Sequence, residues 1–132
     1  EYDYLFLDCP PGITLLSEAV FEAADVLLVP IIPTIFSRRT LEQLRSFLEK
    51  NNLKDVQVLP FFSMVDGRKE MHRRLVELLP VEIPGFLSSR IPFASDVEKM
   101  GVFREPLARY APRSPSTRAF EALWREVRER VR

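Results

Sequence analysis

The chain is short of the residues that build small, self-contained reactive sites. It has one cysteine, Cys9, and one histidine, His72. A single cysteine excludes an internal disulfide, and no metal-ligand spacing surrounds it. One histidine argues against a histidine-built metal centre. There are only four glycines, at 12, 67, 85 and 101, and no Gly-x-x-x-x-Gly-Lys-Ser/Thr stretch occurs. These residues therefore hold no backbone cradle and lysine of that kind for phosphates. Net charge is also absent, because 19 Lys and Arg balance 19 Asp and Glu. Overall charge thus selects neither nucleic acid nor acidic lipid, and any such surface must be a local patch. No apolar run approaches the roughly 18 residues that span a bilayer. The first residues, Glu1-Tyr2-Asp3-Tyr4, form no basic signal-peptide region, so a cytoplasmic location is the default expectation.

What is present suits one α/β domain. The 132 residues are 46% hydrophobic and 29% charged, which allows a core of useful size and excludes intrinsic disorder. An apolar run begins almost at the first residue, and no initiator methionine precedes it. We therefore expect a piece of a longer chain.

Tyr4-Leu5-Phe6-Leu7 is a short continuous apolar run ending at Asp8 and stopped by Pro10-Pro11-Gly12, which predicts a buried strand. Ser17 to Ala24 predicts a short helix. Val26 to Ile32 is a second buried strand that Pro30 and Pro33 end or confine. Ser37 is the expected N-cap of a helix over 38–50, with Leu41, Leu44, Phe47 and Leu48 on its apolar face and Asn51-Asn52 as the stop. Val56 to Met64 is a third strand. A helix over 69–79 follows, with Met71, Leu75, Leu78 and Leu79 inward. Phe86 to Ile91 is a fourth, weaker strand. Ser95 or Asp96 caps a short helix through Met100, with Gly101 at its C′ position. After a stiff turn over 112–115, the last helix spans 116–131 and turns Phe120, Leu123, Trp124, Val127 and Val131 inward. Trp124, Phe61, Phe62 and Phe103 are expected in the core, and His72 on the surface. Strands alternate with helices, and the strands are apolar throughout rather than every second residue. That pattern predicts a parallel sheet buried on both faces by helices. No internal repeat or low-complexity segment interrupts it.

Ligands of an open parallel sheet bind beyond the carboxyl ends of its strands. Asp8, directly after an apolar run, is the first candidate there; one carboxylate holds Mg²⁺ through its waters. The stretch Asp8-Cys9-Pro10-Pro11-Gly12 resembles the Walker B and switch II segment of the ParA/MinD family of deviant P-loop ATPases. More of the chain agrees in order and spacing. Ala23-Ala24-Asp25-Val26-Leu27-Leu28-Val29-Pro30 is similar to the family's next strand. Ser63-Met64-Val65-Asp66-Gly67-Arg68 is similar to its Thr-Met-x-Asp-x-Arg segment. Ile91-Pro92, followed by Glu98, Gly101, Pro106, Tyr110, Pro112 and Ser114, resembles its C-terminal run. Ala119 to Glu126 resembles its closing helix.

The resemblance covers nearly all of the chain and implies a single partial domain over 1–132 that starts at the Walker B strand. It further implies a Mg-ATP-dependent switch that dimerises with ATP and serves chromosome, plasmid or cargo partitioning, with a partition adaptor among its partners. On it, Asp8 positions Mg²⁺ through water. Pro10, Pro11 and Gly12 shape the switch, and Met64, Asp66, Ile91 and Pro92 lie near the adenine. Arg68 matches a position of non-specific DNA contact, which Arg73 and Arg74 extend.

The family's Gly-rich loop and its switch I acidic residue are missing from these residues. ATP and Mg²⁺ are thus expected only together with that upstream part, because phosphoryl transfer rests on such positioning. Cys9 stands where Thr or Ser is common, and nothing in the sequence activates it as a nucleophile. Asp96 stands where a basic residue is expected. The Arg125, Arg128, Arg130 and Arg132 series alternates with Glu126 and Glu129, as on a solvated helix face. Two other readings keep the fold: a non-catalytic interaction module, and a relative of the cobyrinic acid diamide synthetases.

Overall fold

A computed structural model of the chain describes residues 2–9, 15–53 and 55–131. In chain order its elements are α1 (Leu15–Ala23), β1 (Val26–Ile31), α2 (Ser37–Lys50), β2 (Gln57–Val65), α3 (Glu70–Glu82), β3 (Arg90–Pro92), α4 (Ser95–Phe103), α5 (Leu107–Tyr110) and α6 (Pro115–Arg130). The described strands form a three-stranded sheet in the order β1-β2-β3. Both pairings are parallel, with Val26 opposite Gln57 and Ile31 opposite Phe62 in the first, and Val65 opposite Pro92 in the second. The predicted class, a parallel sheet flanked by helices, is the one observed.

Continuous apolar strands are explained by a layer on each face. Side chains alternate across a strand, so Ile31 and Phe62 point to one side and pack with Leu41 of α2 and with Val76, Leu79 and Ile83 of α3 and the loop after it. Leu59 points to the other side and packs with Leu87 and with Val127 of α6, joined by Val26, Leu28, Phe61, Leu123 and Trp124. Helix α1 leans on α2 through the Phe21 and Phe47 rings, whose centroids lie 5.9 Å apart.

Several expectations need correction. The run Tyr4 to Leu7 is not a strand: it has no regular structure, and its residues are exposed. A strand needs a neighbour for its backbone groups, and no described strand pairs with it. Its anchor is aromatic instead, because the Tyr4 and Phe6 rings lie 5.1 and 5.7 Å from Trp124. Ser37 is the first helical residue rather than the cap. Its hydroxyl donates to the Ile32 carbonyl and accepts the Thr34 N–H, so it closes the β1–α2 turn.

Helix α3 continues through Pro80 to Glu82 and buries His72, Val76 and Leu79; Met71 and Leu78, expected inward, are exposed. The fourth predicted strand shrinks to Arg90–Pro92, since Phe86 and Leu87 enter the core from a loop tied by the Leu87 N–H to the Pro60 carbonyl at 2.8 Å. Helix α4 runs past Gly101, and the left-handed residue at its end is Arg104, with φ of 51°. Phe103 is exposed and rests on Tyr110 rather than in the core. Phe120, expected on the buried side of α6, is among the exposed hydrophobics. At α6 the cap is Ser114, which accepts the Thr117 N–H at 3.0 Å.

Candidate functional site at the carboxyl edge of the sheet

Parallel strands bring their carboxyl ends to one edge. Here that edge carries the loops after Ile31, Val65 and Pro92, cross-tied by the Phe93 N–H to the Val65 carbonyl at 2.9 Å. The sheet is irregular between Phe62 and Val65, and Met64 within that stretch has φ of 55°. A left-handed non-glycine residue is uncommon and tends to mark a functional or strained position. The irregularity leaves the Met64 side chain exposed at the edge, as are Ile32, Ile35, Phe36 and Phe93.

The turn from β2 to α3 is held from several sides. Asp66 is buried, and its carboxylate accepts the Arg68 backbone N–H at 3.1 Å, its Nε at 2.9 Å and its Nη2 at 2.8 Å. The Asp66 N–H in turn donates to His72 Nδ1 at 3.0 Å, and Arg73 donates to the Gly67 carbonyl at 2.7 Å. His72 was expected on the surface. It is buried because it falls in helical phase with Val76 and Leu79, and its ring nitrogen satisfies a buried N–H that would otherwise be orphaned. The phase 72, 76, 79, 83 was the signal that could have found it. Arg68 keeps an exposed side chain while its guanidinium is committed to Asp66. Arg74 faces Glu70 at 3.8 Å on the exposed surface.

The side-chain bonds from Arg68, then its backbone N–H, hold the Asp66 carboxyl well below the usual carboxylate range. A folded pKa below the unfolded one gives stability that is present above the unfolded value and lost as pH falls through the folded one. Unfolded aspartate titrates near about 3.9. We therefore expect the melting temperature to fall as pH drops below about 4, and Asp66→Asn to flatten that acid limb. Melts from pH 5 to pH 2 check this. An unchanged acid limb in Asp66→Asn would show that no proton is linked to the pair.

Beyond Pro92, Asp96 accepts the Ser116 hydroxyl at 2.8 Å, and its backbone carbonyl accepts the Tyr110 hydroxyl. These bonds bind α4 to α5 and α6, so Asp96 serves as an internal joint. Glu126 plays a similar part, accepting the Ser88 and Ser89 N–H groups at 2.7 and 2.8 Å. Neither network was legible from spacing alone, since the partners lie 14 and 20 residues apart in the first and 37 and 38 in the second.

The other predicted site residues are dispersed. Asp8 lies exposed on the irregular N-terminal segment. Ile91 is buried beneath the edge, and Pro92 is half-buried at it. Pro10, Pro11 and Gly12 lie outside the described residues. No cluster of His, Cys, Asp and Glu suited to a metal ion occurs among the described residues. No helix among them is long and apolar enough to cross a membrane.

A three-stranded parallel sheet flanked by helices, with its open loops at the carboxyl edge, is an α/β fold of the P-loop NTPase-like class. A family model described as an AAA domain matches residues 1–59. Over 98% of its length the chain is 27% identical to a protein named Chromosome partitioning protein ParA from Myxococcus xanthus (strain DK1622). Over 96% it is 24% identical to the Sporulation initiation inhibitor protein Soj of Bacillus subtilis (strain 168). A ParA family protein of Mycoplasma pneumoniae is 32% identical over 60% of the chain. The match spans 48% of the Myxococcus protein and 52% of Soj, about half of each. Along nearly its whole length the chain is similar to proteins named as members of the ParA family.

Proposed function

We propose that residues 1–132 form the carboxyl-terminal part of one ParA-like domain. Its whole is an ATP-dependent switch that works in partitioning chromosomes, plasmids or other cargo. The observation that supports this best is the similarity to proteins named for partitioning along nearly the whole chain. The edge chemistry is consistent with it. Exposed Met64 and Phe93 offer apolar surface for the face of a base. Asp66 is saturated by Arg68, so its role there is to shape the loop rather than to bond the base directly. Ile91 supports that edge from below, and Pro92 borders it. Asp8 supplies a hard oxygen of the kind Mg²⁺ prefers, through water. When bound, ATP with Mg²⁺ supplies the phosphoryl group and the charge that the switch senses. Pro10, Pro11 and Gly12 belong to the responding segment. The phosphates require the Gly-rich loop of the upstream half. These residues alone therefore bind ATP poorly and do not hydrolyse it.

Calorimetry with Mg-ATP tests the reading on this chain and on a version carrying the upstream half. We expect the longer protein alone to bind. Tight binding by the 132-residue chain would overturn the division of labour proposed here. Dimerisation with ATP, a reset by hydrolysis, and a partition adaptor among the partners belong to the same reading. So does non-specific DNA contact through Arg68, Arg73 and Arg74. For the DNA surface, Arg73→Glu in the longer protein should weaken low-salt filter binding. Unchanged retention would remove it from the proposal.

A further inference from the structure

Helix α3 has two apolar stripes, and the fold covers only one. Residues advance about 100° each around a helix. His72, Val76, Leu79 and Ile83 share the side that enters the core. Met71, Leu75, Leu78 and Val81 share another, roughly 120° away by the same count. Leu75 packs partly against the core. Met71, Leu78 and Val81 are 49%, 47% and 87% exposed. Large side chains repeating at this spacing on an outer helix face form the kind of seam that a second helix covers.

The charges beside the seam indicate the occupant. The start of the helix is basic, with Lys69, Arg73 and Arg74 around Glu70. Its second half is acidic, with Glu77 and Glu82. An antiparallel copy of the same helix therefore sets the basic start of each helix against Glu77 of the other, since Arg38 takes up the charge of Glu82. A register centred on Leu75 and Val76 brings Arg74 across from Glu77 of the second copy. It also brings the Met71 end of one helix beside the Leu78–Val81 end of the other. The intrachain pair between Arg74 and Glu70 is long, at 3.8 Å, and exposed, so it exchanges at little cost. Glu82 is paired with Arg38 of α2 and adds no free charge to repel the copy. A two-fold contact of this kind is self-complementary by construction.

We infer that the outer face of α3 is a weak self-association surface, an antiparallel α3–α3 contact between two copies of the chain. It is separate from the carboxyl edge and does not rest on nucleotide binding. So short a seam falls below the roughly 1,200 Å² of a stable interface. The expected dissociation constant is therefore about 0.1–1 mM. Such a contact matters where copies are crowded on a shared support.

Sedimentation equilibrium over a concentration series, without nucleotide, reads it directly. Leu78→Glu should raise the dissociation constant about tenfold or more. Since Leu78 is half-exposed, its melting temperature should stay near that of the parent. Arg74→Glu and Glu77→Arg should each weaken association several-fold, and the double variant should return it to within about twofold. That restoration is independent of any loss of folding in the leucine variant. A chain that stays monomeric to about 1 mM overturns the inference. So does association that survives Leu78→Glu, which would point to the open edge of β1. A double charge variant no better than the singles also counts against it.

Discussion

Phe62→Ala is expected to destabilise the chain by about 3–5 kcal/mol, as for other buried phenylalanines. Phe62 sits in the central strand of the described sheet and is only 2% exposed. Its ring lies 4.6 Å from that of Phe86 and fills the space between the sheet and the α2–α3 layer. Truncation removes contacts with both helices at once. The backbone of β2 cannot move in to fill the void, because it is paired to β1 on one side and β3 on the other. Total stability of a domain this size is about 5–15 kcal/mol, so the loss is a large share of it. Urea melts of the variant beside Phe61→Ala check the claim. Phe61 lies on the opposite face and is only half-buried, so its truncation should cost less. A loss below about 1.5 kcal/mol for Phe62→Ala would mean that the layer closes around the gap.

Gly85→Ala is the second large effect, expected at about 2–4 kcal/mol from two additive causes. Gly85 has φ of 81°, and a Cβ there would stand 2.7 Å from the Val58 carbonyl oxygen. That oxygen belongs to the backbone of β2 and cannot swing aside as a side chain would. The loop itself is pinned by Leu87 to Pro60, so the glycine cannot retreat either. Gly101→Ala is the internal control. It lies inside α4 with nothing within 4 Å of the added carbon, and alanine should stabilise by about 0.5–1 kcal/mol. Thermal melts showing equal effects at the two glycines would refute the steric account.

Where periodicity and burial agree, the elements could be read from residue order. Helices α2 and α6 each have one apolar stripe and one charged face, and both were found within a residue or two. Strands β1 and β2 are apolar on both sides, because α2 and α3 cover one face of the sheet and α6 covers the other. The misses have a different origin. The run Tyr4 to Leu7 has strand composition, but composition does not supply the neighbour that a ladder requires. In α3, two stripes compete for the core; the choice depends on the packing of Phe62 and Phe86, not on the helix itself. His72 is expected at the surface because it stands among the basic residues Arg68, Lys69, Arg73 and Arg74. Its burial follows from its helical phase with Val76 and Leu79, while its bond to the Asp66 N–H meets a demand that only the folded turn creates.

The site shows the same division. Proximity of Met64, Asp66 and Pro92 follows from parallel strands ending at one edge. The capture of Asp66 by Arg68 is a local two-residue event. The motif contains both residues, but their spacing does not announce it.

The aromatic seat of the N-terminal segment has an optical consequence. Trp124 is the sole tryptophan of the chain, and its two ring neighbours, Tyr4 and Phe6, come from the segment that carries Asp8. Its emission therefore reports the environment of that segment without any attached label. If the segment lifts from α6 while the sheet stays intact, the indole gains solvent and its spectrum shifts to the red before circular dichroism changes. The chain thus carries its own gauge for the movement of the stretch that holds Asp8, the carboxylate proposed to position magnesium.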